Sequence, residues 1–471
     1  MEILSKSTGW IIIIIYLISM LLISFIYSSG RKKTKLYYFV SNRSISKNIG
    51  AFSIAITWIW APALFIASEK AYTQGILGVF WFTVPNILTL IIFGFFAEKL
   101  RAKIPQGWTF AGFIKDNYSK RVHSLFLVEN FGLQILSFAV QILAGASIIS
   151  RLTGISFLYL SIAFGIMPFL YTIRNGIKSS IMTDYWQMFW ILAVIAVGIP
   201  IVINSTSLTT VIKGFNGLSG NYGNFFSKES LEVFLTFGIP VTIGLLSGPF
   251  GDQMFWQRAF SIKEKDVKSA FIRGALIFGI VPIGLAFLGF SLAGMNIKIQ
   301  DTQLSNLEAI INFTPKWFIY PFVIMILSGL LSTADSIVCA VSSLVGNDVL
   351  QRIENKRNIF FSEKQVINIS RLSMVAVAII GISIANISGI KILYLFLIYG
   401  ILRASVLLPT IYAIKEIKMS DAGLFWGILV SIFVGLPVFA YGKLYHINYL
   451  IIVGSLLALL GSGIISLFRK K

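Results

Sequence analysis

Cysteine, histidine and acidic residues are all scarce in this sequence. The single cysteine, Cys339, excludes an internal disulfide and any metal cluster built from cysteines. The two histidines, His123 and His446, lie far apart, so a histidine-rich metal site is not expected. The motifs HExxH and GxSxG and a nucleotide-binding loop are also missing. We therefore expect neither an enzyme nor a protein-bound cofactor.

Charged residues make up only 12% of the sequence, whereas 56% of the residues are hydrophobic and the mean hydropathy is +0.83. A soluble domain cannot bury that much apolar surface, but a polytopic membrane protein can. The net charge of +20 would suit nucleic-acid binding, yet the charges cluster between the apolar segments. We therefore predict a membrane protein whose partners are the lipid bilayer and small molecules, with no role for nucleic acid.

About thirteen apolar segments are long enough to span a bilayer. Their approximate limits are 8–29, 47–70, 75–98, 122–150, 155–173, 180–204, 233–257, 268–295, 315–350, 364–388, 390–414, 421–441 and 445–468. An odd number places the two termini on opposite sides. About 28 Lys and Arg fall on the side of residues 31–35 and about nine on the other, a bias that marks the first side as cytoplasmic. We predict a cell-membrane protein with its N-terminus outside and its C-terminus in the cytoplasm.

Two of these segments carry a proline near the centre. Pro62 stands within 56–65, and Pro249 stands within 245–252. Proline removes one backbone N–H and clashes with the preceding turn, so each helix is expected to break. Interrupted helices in corresponding positions of two halves indicate a transporter's binding site, although two unrelated kinks would give the same pattern. The predicted substrate-binding residues are Trp58, Trp60, Pro62, Ser247 and Gly248.

A second small cluster lies in the segment 315–350. Gly329 precedes Ser332 and Thr333 by three and four residues, so its carbonyl faces the turn that carries both hydroxyls. Three oxygens on one helix face suit a hard cation, and the broken turn at Ile56 and Ile59 can add further carbonyls. The alternative is that both hydroxyls bond to their own helix or join two helices.

Ionisable residues inside membrane spans are functional candidates, because a charge at mid-bilayer costs roughly 2.5–3.5 kcal/mol. Glu69 and Asp184 stand near segment ends, where the interface could hold them, whereas Asp252 and Arg403 lie deeper. The full set is Glu69, Glu129, Asp184, Asp252, Asp335, Arg371 and Arg403.

The motifs resemble the sodium:solute symporter family over nearly the whole chain. Thr183-Asp184-x-x-Gln187 opens one span as in that family, and Ser332-Thr333 stands where the family has a sodium site. Within the family, the chain looks most like the urea/polyamine permease branch. The residues that carry this second resemblance are Trp58-x-Trp60-Ala61 with Ser68, Ala71, Tyr72 and Gly75, then Gly75-Ile76-x-Gly78-x-Phe80-Trp81, Asp252-Gln253-x-x-Trp256-Gln257, Ala340-Val341-Ser342-Ser343-Leu344 and Tyr394-Leu395-Phe396.

The resemblance implies an all-α membrane protein with the five-plus-five inverted-repeat (leucine-transporter) fold. The implied sodium ligands are the carbonyls of Ile56, Ile59 and Gly329 and the hydroxyls of Ser332 and Thr333. Asp184 would lie on the exit path of the ion, and Asp252 is a coupling candidate. The implied division is an extra N-terminal helix (1–30), a first repeat (46–204), an external loop (205–232), a second, inverted repeat (233–416), and two C-terminal helices with a short cytoplasmic tail (417–471).

We predict a symporter that uses a sodium gradient to import a small polar or nitrogenous solute by alternating access, as a monomer. Urea, a polyamine and an amino-acid-like solute are the classes considered. A sugar is disfavoured, because Pro62-Ala63 replaces the Glu-Gln pair of the sugar-transporting branch, and Arg403 and Glu129 lie outside the branch pattern. The alternatives are a proton-coupled permease of the same fold, with Asp184, Asp252 and Glu129 as carriers, and an uncoupled facilitator or channel.

Overall fold

The structure is a computed structural model that describes residues 3–27, 34–390, 392–445 and 447–468, with the backbone alone at 392–394, 396 and 397. The basic residues 31–33 and 469–471 and the side chains of Tyr394 and Phe396, which entered the sequence predictions, lie outside the described part. The helices are α1 (Lys6–Ile26), α2 (Lys35–Val40), α3 (Lys47–Trp58), α4 (Ala63–Lys103), α5 (Phe110–Asn117), α6 (Lys120–Thr153), α7 (Phe157–Thr172), α8 (Ile177–Thr206), α9 (Leu208–Lys213), α10 (Lys228–Val233), α11 (Ile239–Gly251), α12 (Gln253–Ser261), α13 (Val267–Gly294), α14 (Ser305–Phe313), α15 (Ile319–Leu344), α16 (Leu350–Arg357), α17 (Glu363–Ala385), α18 (Ile392–Lys415), α19 (Asp421–Val430), α20 (Leu436–Leu444) and α21 (Asn448–Leu467).

Within the described residues, eleven helical segments are long and apolar enough to cross a membrane. Helix α4 has 41 residues, and Gly75 divides it with φ 54° and ψ −147°. At 1.5 Å per residue α4 would be about 60 Å long, so it supplies parts of two spans. Helix α7, with 16 residues, is apolar but shorter. Counting both parts of α4 and adding α7 gives the thirteen segments expected from the sequence.

The first interrupted helix breaks between α3 and α4. Ile59 leaves the helical region with φ −87° and ψ 85°, and Pro62 precedes the first residue of α4. The break frees backbone groups, and in a bilayer these need partners. The N–H of Ala61 donates to Oε1 of Gln141 at 2.8 Å. A side chain of α6 therefore satisfies one backbone group of the interruption.

The second interruption lies further along the chain than the sequence suggested. Helix α11 continues through Gly248 and Pro249 and ends at Gly251, and the chain turns at Asp252 with φ −114° and ψ 116°. A proline removes only one N–H, and neighbouring groups can compensate for it in a membrane helix. Asp252 instead starts α12, because its carboxylate accepts from the N–H of Met254 at 3.0 Å. The capping carboxylate marks the break, not the proline.

One end of the helix bundle is rich in basic residues, and we call it the basic end. There, Arg43 donates to the carbonyls of Gly107 at 2.8 Å and Phe260 at 3.3 Å. Lys268 pairs with Glu98 at 3.3 Å. Helices α4, α12 and α16 end here. The outer ends of the two interrupted helices, which are the start of α3 and the end of α12, meet at the same end.

Candidate functional site

A cavity of about 330 Å³ lies beside the two interruptions. Trp58 and Trp60 line it from the first interrupted helix, and Phe255 lines it from α12. Its wall extends to Phe237, just before α11, and to Lys443 in the last turn of α20. Phe237 precedes α11 and Lys443 is close to the end of α20, so the cavity extends towards the end of the bundle that is opposite the basic end.

Oxygens of the first interruption and of α15 gather next to this cavity. Oγ1 of Thr333 lies 3.3 Å from the carbonyl oxygen of Ile59 and 3.4 Å from that of Gly329. Oγ of Ser332 lies 3.5 Å from the carbonyl oxygen of Ile56 and 3.3 Å from that of Gly329. The exposed fractions of Ser332 and Thr333 are 0% and 2%. All five predicted ligand residues therefore lie together in one buried cluster, which we call the oxygen cluster.

The spacing within the oxygen cluster suits a cation better than a set of hydrogen bonds. Hydroxyl hydrogen bonds are usually about 2.7–2.8 Å long. Oxygens about 2.4 Å from a hard cation and at right angles to each other lie about 3.4 Å apart, which is close to the separations found here. The cluster offers hard, uncharged ligands. Among the described residues, no group of three or more His, Cys, Asp or Glu side chains could hold a metal ion.

A buried ion pair lies on the basic-end side of the oxygen cluster. Nη2 of Arg258 in α12 is 2.7 Å from Oδ2 of Asp184 in α8, and both side chains are buried. The same guanidinium donates to Oγ of Ser53 in α3 at 2.8 Å and to Oγ of Ser336 in α15 at 2.7 Å. One arginine therefore joins four helices and closes the basic end below the cluster.

A second carboxylate, that of Asp335, is held beside this pair by hydroxyl groups. It accepts from Ser180 at 2.6 Å, from Tyr171 at 3.0 Å and from Thr183 at 3.4 Å. The side chain is fully buried. Asp335 thus links α15 to α7 and α8 at the level of Arg258.

Another buried ion pair stands at the second interruption. Nη2 of Arg403 in α18 is 2.7 Å from Oδ2 of Asp252, whose Oδ1 accepts from Gln134 at 2.9 Å. The carboxylate of Glu129, 3% exposed, accepts from Asn130 at 3.0 Å. Arg403 lines the cavity, whereas Asp252 and Glu129 lie behind it. Arg403 and Glu129, which lie outside the branch pattern, therefore stand together at the turn, since Cα of Arg403 and Oε1 of Glu129 lie 3.5 and 3.6 Å from where a Cβ of Gly251 would be.

Three of the predicted substrate-binding residues do not line the cavity. Pro62, Ser247 and Gly248 are absent from its wall. The hydroxyl of Ser247 donates back to the carbonyl of Ile243 at 2.8 Å. Gly248 packs against the ring of Trp58, and a Cβ at this position would overlap that ring. Gly248 therefore acts on the cavity through Trp58.

Sequence reasoning missed Arg258 as a functional residue. It follows the predicted limit of its span at residue 257, so it was counted with a basic loop. The turn at Asp252 shifts α12 so that Arg258 remains inside the bundle, 1% exposed. Its partner Asp184 comes 74 residues earlier, and no local spacing signals such a contact.

A family model described as "Sodium:solute symporter family" matches residues 38–431. The "Urea-proton symporter DUR3" of Oryza sativa subsp. japonica is 21% identical over 447 residues, which cover 87% of this chain and 61% of that protein. The "Urea active transporter" of Saccharomyces cerevisiae is 25% identical over 236 residues, which cover 47% of this chain and 31% of that protein. The chain thus matches less than two thirds of the length of these relatives.

A solved structure of a Na+-coupled sialic acid symporter in a substrate-bound outward-open state has the same fold. Its TM-score with this chain is 0.83 at 16% sequence identity, and the superposition covers 98% of this chain and 96% of the other. At this identity the likeness concerns the fold. It confirms the predicted class, an all-α membrane protein of the leucine-transporter type.

Proposed function

The chain belongs to the sodium:solute symporter family, and on this basis we propose that it uses a sodium gradient to import a small polar or nitrogenous solute. The solute binds in the cavity beside the two interruptions, and sodium binds in the oxygen cluster. Sodium favours the state that opens away from the basic end by binding that state more tightly, and the solute then meets a preorganised site. The protein works as a monomer.

The observation that carries the sodium assignment is the oxygen cluster. Sodium loses most of its water on binding, so several oxygens must be supplied together. Helix α15 provides Gly329, Ser332 and Thr333, and the broken turn provides Ile56 and Ile59. Neither element completes the set alone. Movement of α3 against α15 would therefore form or dismantle the site.

The size of the cavity supports a small solute. A volume of about 330 Å³ lies at the lower end of ligand pockets, and the indoles of Trp58 and Trp60 occupy part of the wall. Urea appears in the names of both relatives described above. Urea, polyamines and amino-acid-like solutes are therefore the first classes for an uptake panel.

The test is uptake of radiolabelled solutes into proteoliposomes with an inward sodium gradient, with equal sodium on both sides, and without sodium. We expect accumulation of at least one solute above its external concentration, only in the first condition. Equilibration without accumulation would instead identify an uncoupled facilitator. Accumulation that ignores sodium and follows a pH gradient would identify a proton-coupled permease.

The proton-coupled alternative is favoured by one observation of its own. The carboxylates of Asp184, Asp252 and Glu129 are all buried, and the first two pair with arginines that join different helices. The rice relative is described as a urea-proton symporter. If pH drives uptake, these three residues are the proton carriers to substitute first.

We propose that the basic end faces the cytoplasm, because the Lys and Arg bias places it there. Single cysteines at Lys356 and Asn224, in a Cys339→Ser background, test this orientation. Both positions are exposed, the first in the last turn of α16 and the second in the 205–232 segment at the opposite end. In intact cells an impermeant thiol reagent should label position 224 and not position 356. The reverse pattern would invert the topology.

Gly248→Ala is expected to weaken solute binding about tenfold, which corresponds to roughly 1.4 kcal/mol. The added methyl would overlap the ring of Trp58 and push it into the cavity. The measurement is the half-saturating concentration of the solute found in the uptake panel. Gly132→Ala is the control, because a Cβ there meets only Leu402 at 3.8 Å. Equal affinities in the two variants would show that Trp58 does not shape the site.

A further inference from the structure

The charged residues that line the cavity all have the same sign. Arg403 and Lys443 line it, and no Asp or Glu belongs to its wall among the described residues. We infer that the cavity takes a solute with a carboxylate group and that Arg403 is the residue that anchors it. This inference rests on the proposed function and narrows its solute class.

Arg403, which lines the cavity, has N–H donors that Asp252 does not use. Asp252 uses Nη2, at 2.7 Å. Nε is buried and has no acceptor within the described residues. Nη1 is not the atom that Asp252 uses, and it lies 3.4 Å from where a Cβ of Gly248 in α11 would be. A guanidinium carries five N–H donors in a rigid fork, which fits a carboxylate.

The indole of Trp58, which also lines the cavity, carries a donor without a partner among the described residues. Its exposed fraction is 5%, and Nε1 has no hydrogen-bond acceptor in the part of the chain that the structure describes. A buried donor without a partner costs about 1–3 kcal/mol. Cη2 and Cζ3 of its ring and Nη1 of Arg403 all lie near Gly248, so the indole packs next to the guanidinium and helps to shape the space around it.

The cavity wall disfavours a cationic solute, because cationic side chains of the protein already lie over two of its aromatic rings. The guanidinium of Arg403 lies over the Tyr399 ring at 3.8 Å, and Nζ of Lys70 lies over the Phe237 ring at 4.6 Å. The protein's own cations therefore occupy one face of each of these two rings, where an ammonium group could otherwise bind. A cationic solute would also meet Arg403 and Lys443, and like charges in close contact repel strongly.

The buried carboxylates near Arg403 are placed to orient it, not to meet the solute. Asp252 caps α12 and accepts from Gln134 as well as from Arg403. Oε1 of Glu129 lies 3.6 Å from where a Cβ of Gly251 would be, and Glu129 is not part of the cavity wall. Asp252 is thus a positioning residue that fixes the guanidinium.

The remainder of the cavity wall favours a solute with a compact apolar body. Its large apolar members surround the space beyond Arg403 and Trp58. They are Trp60, Ile66, Phe82, Phe237, Phe255 and Phe439. Apolar surface buried against such walls contributes roughly 25 cal/mol per Å², while the carboxylate supplies orientation.

The test compares probes that share a body and differ in the head group. Propionate, propionamide and propylammonium form one series, and phenylacetate, phenylacetamide and phenylethylammonium form the other. Binding to the detergent-purified protein in sodium chloride is measured by isothermal titration calorimetry. At least one carboxylate is expected to bind about tenfold or more tightly than its amide. The ammonium probes should not bind, and urea and choline should bind more weakly than the carboxylate.

The decisive variant is Arg403→Gln combined with Asp252→Asn. The double change avoids a buried unpaired carboxylate, and Asn can still cap α12. The ratio of carboxylate affinity to amide affinity should fall from about ten to about one, so the preference is lost. Arg371→Gln is the control, since Arg371 donates to the carbonyl of Ile173 and does not line the cavity. Arg403→Lys should restore part of the preference in the Asp252 wild-type background.

Three results would overturn the inference. They are failure of both carboxylates to bind, tighter binding of an amide or ammonium probe, and a preference that survives in the double variant with an intact cooperative thermal transition. None of these results bears on sodium coupling. Accumulation of a different solute under a sodium gradient would leave the proposed symport function standing. Carboxylate binding without sodium-driven accumulation would overturn the proposed symport function and leave the carboxylate site standing.

Discussion

Arg258→Gln is expected to abolish transport and to lower the stability of the protein. The substitution leaves the Asp184 carboxylate buried with only the hydroxyl of Ser53, at 2.5 Å, as a donor. Removing one partner of a buried ion pair typically costs about 3–5 kcal/mol. The expected readouts are a lower midpoint of thermal unfolding and an uptake rate reduced about a hundredfold or more. The exposed pair of Lys268 and Glu98 at the same end is the control, and Lys268→Gln should change neither readout.

Combining Arg258→Gln with Asp184→Asn separates stability from gating. The neutral pair leaves no unpaired charge, so thermal stability should largely recover. The link between α3, α8, α12 and α15 is nevertheless weakened, and the basic end should open more often. Cys339 reports this opening without any added label site, because it is the only cysteine and lies fully buried on α15, one turn after Asp335.

The thiol reactivity of Cys339 in detergent should therefore rise about tenfold or more in the double variant. A stable double variant with wild-type uptake and an inert Cys339 would show that the ion pair serves folding alone.

Asp184→Asn by itself should slow turnover with little change in solute affinity, because Asp184 lies below the oxygen cluster and does not line the cavity. A large loss of affinity with normal turnover would instead place Asp184 in the solute site.

The sequence predicted the parts of this fold that depend on local pattern. The apolar segments determine the helices, and Pro62 marks the first interruption because a missing N–H is a local property. The motif order identified the family, and the match over residues 38–431 confirms it. The second interruption was placed wrongly at Gly248 and Pro249, since its position depends on the capping contact that Asp252 makes after the helices have packed.

Pairings across the bundle could not be predicted in the same way. Asp252 and Arg403 stand 151 residues apart, and the sequence showed only that both are ionisable and deep. Trp58 and Trp60 are two residues apart, and on a continuous helix this spacing would turn the two rings to different sides. Both line the cavity, because the helix ends between them and the turn at Ile59 redirects the chain. Contacts that arise from broken helices need the three-dimensional structure.

The oxygen cluster leads to the second large prediction. Ser332→Ala and Thr333→Ala should each raise the sodium concentration for half-maximal uptake about fivefold or more, because each removes one oxygen from a site without a formal charge. Ser342→Ala is the matched control on the same helix, since its hydroxyl only donates back to the carbonyl of Cys339 at 2.7 Å. The double alanine variant should lose sodium dependence within the solubility range of the salt.

A test of reciprocity distinguishes an ion site from helix packing. If sodium and solute are coupled, the alanine variants should bind solute weakly at low sodium and recover most of the affinity at saturating sodium. Loss of a hydroxyl that merely joins α3 to α15 would weaken solute binding equally at all sodium concentrations.

The oxygen cluster also lies one turn from the ion pair, since Ser336 donates to the carbonyl of Ser332 at 2.6 Å and accepts from Arg258 at 2.7 Å. Loss of sodium should therefore loosen the basic end, so Cys339 in the wild-type protein should react faster in sodium-free buffer, and an unchanged rate would contradict the link.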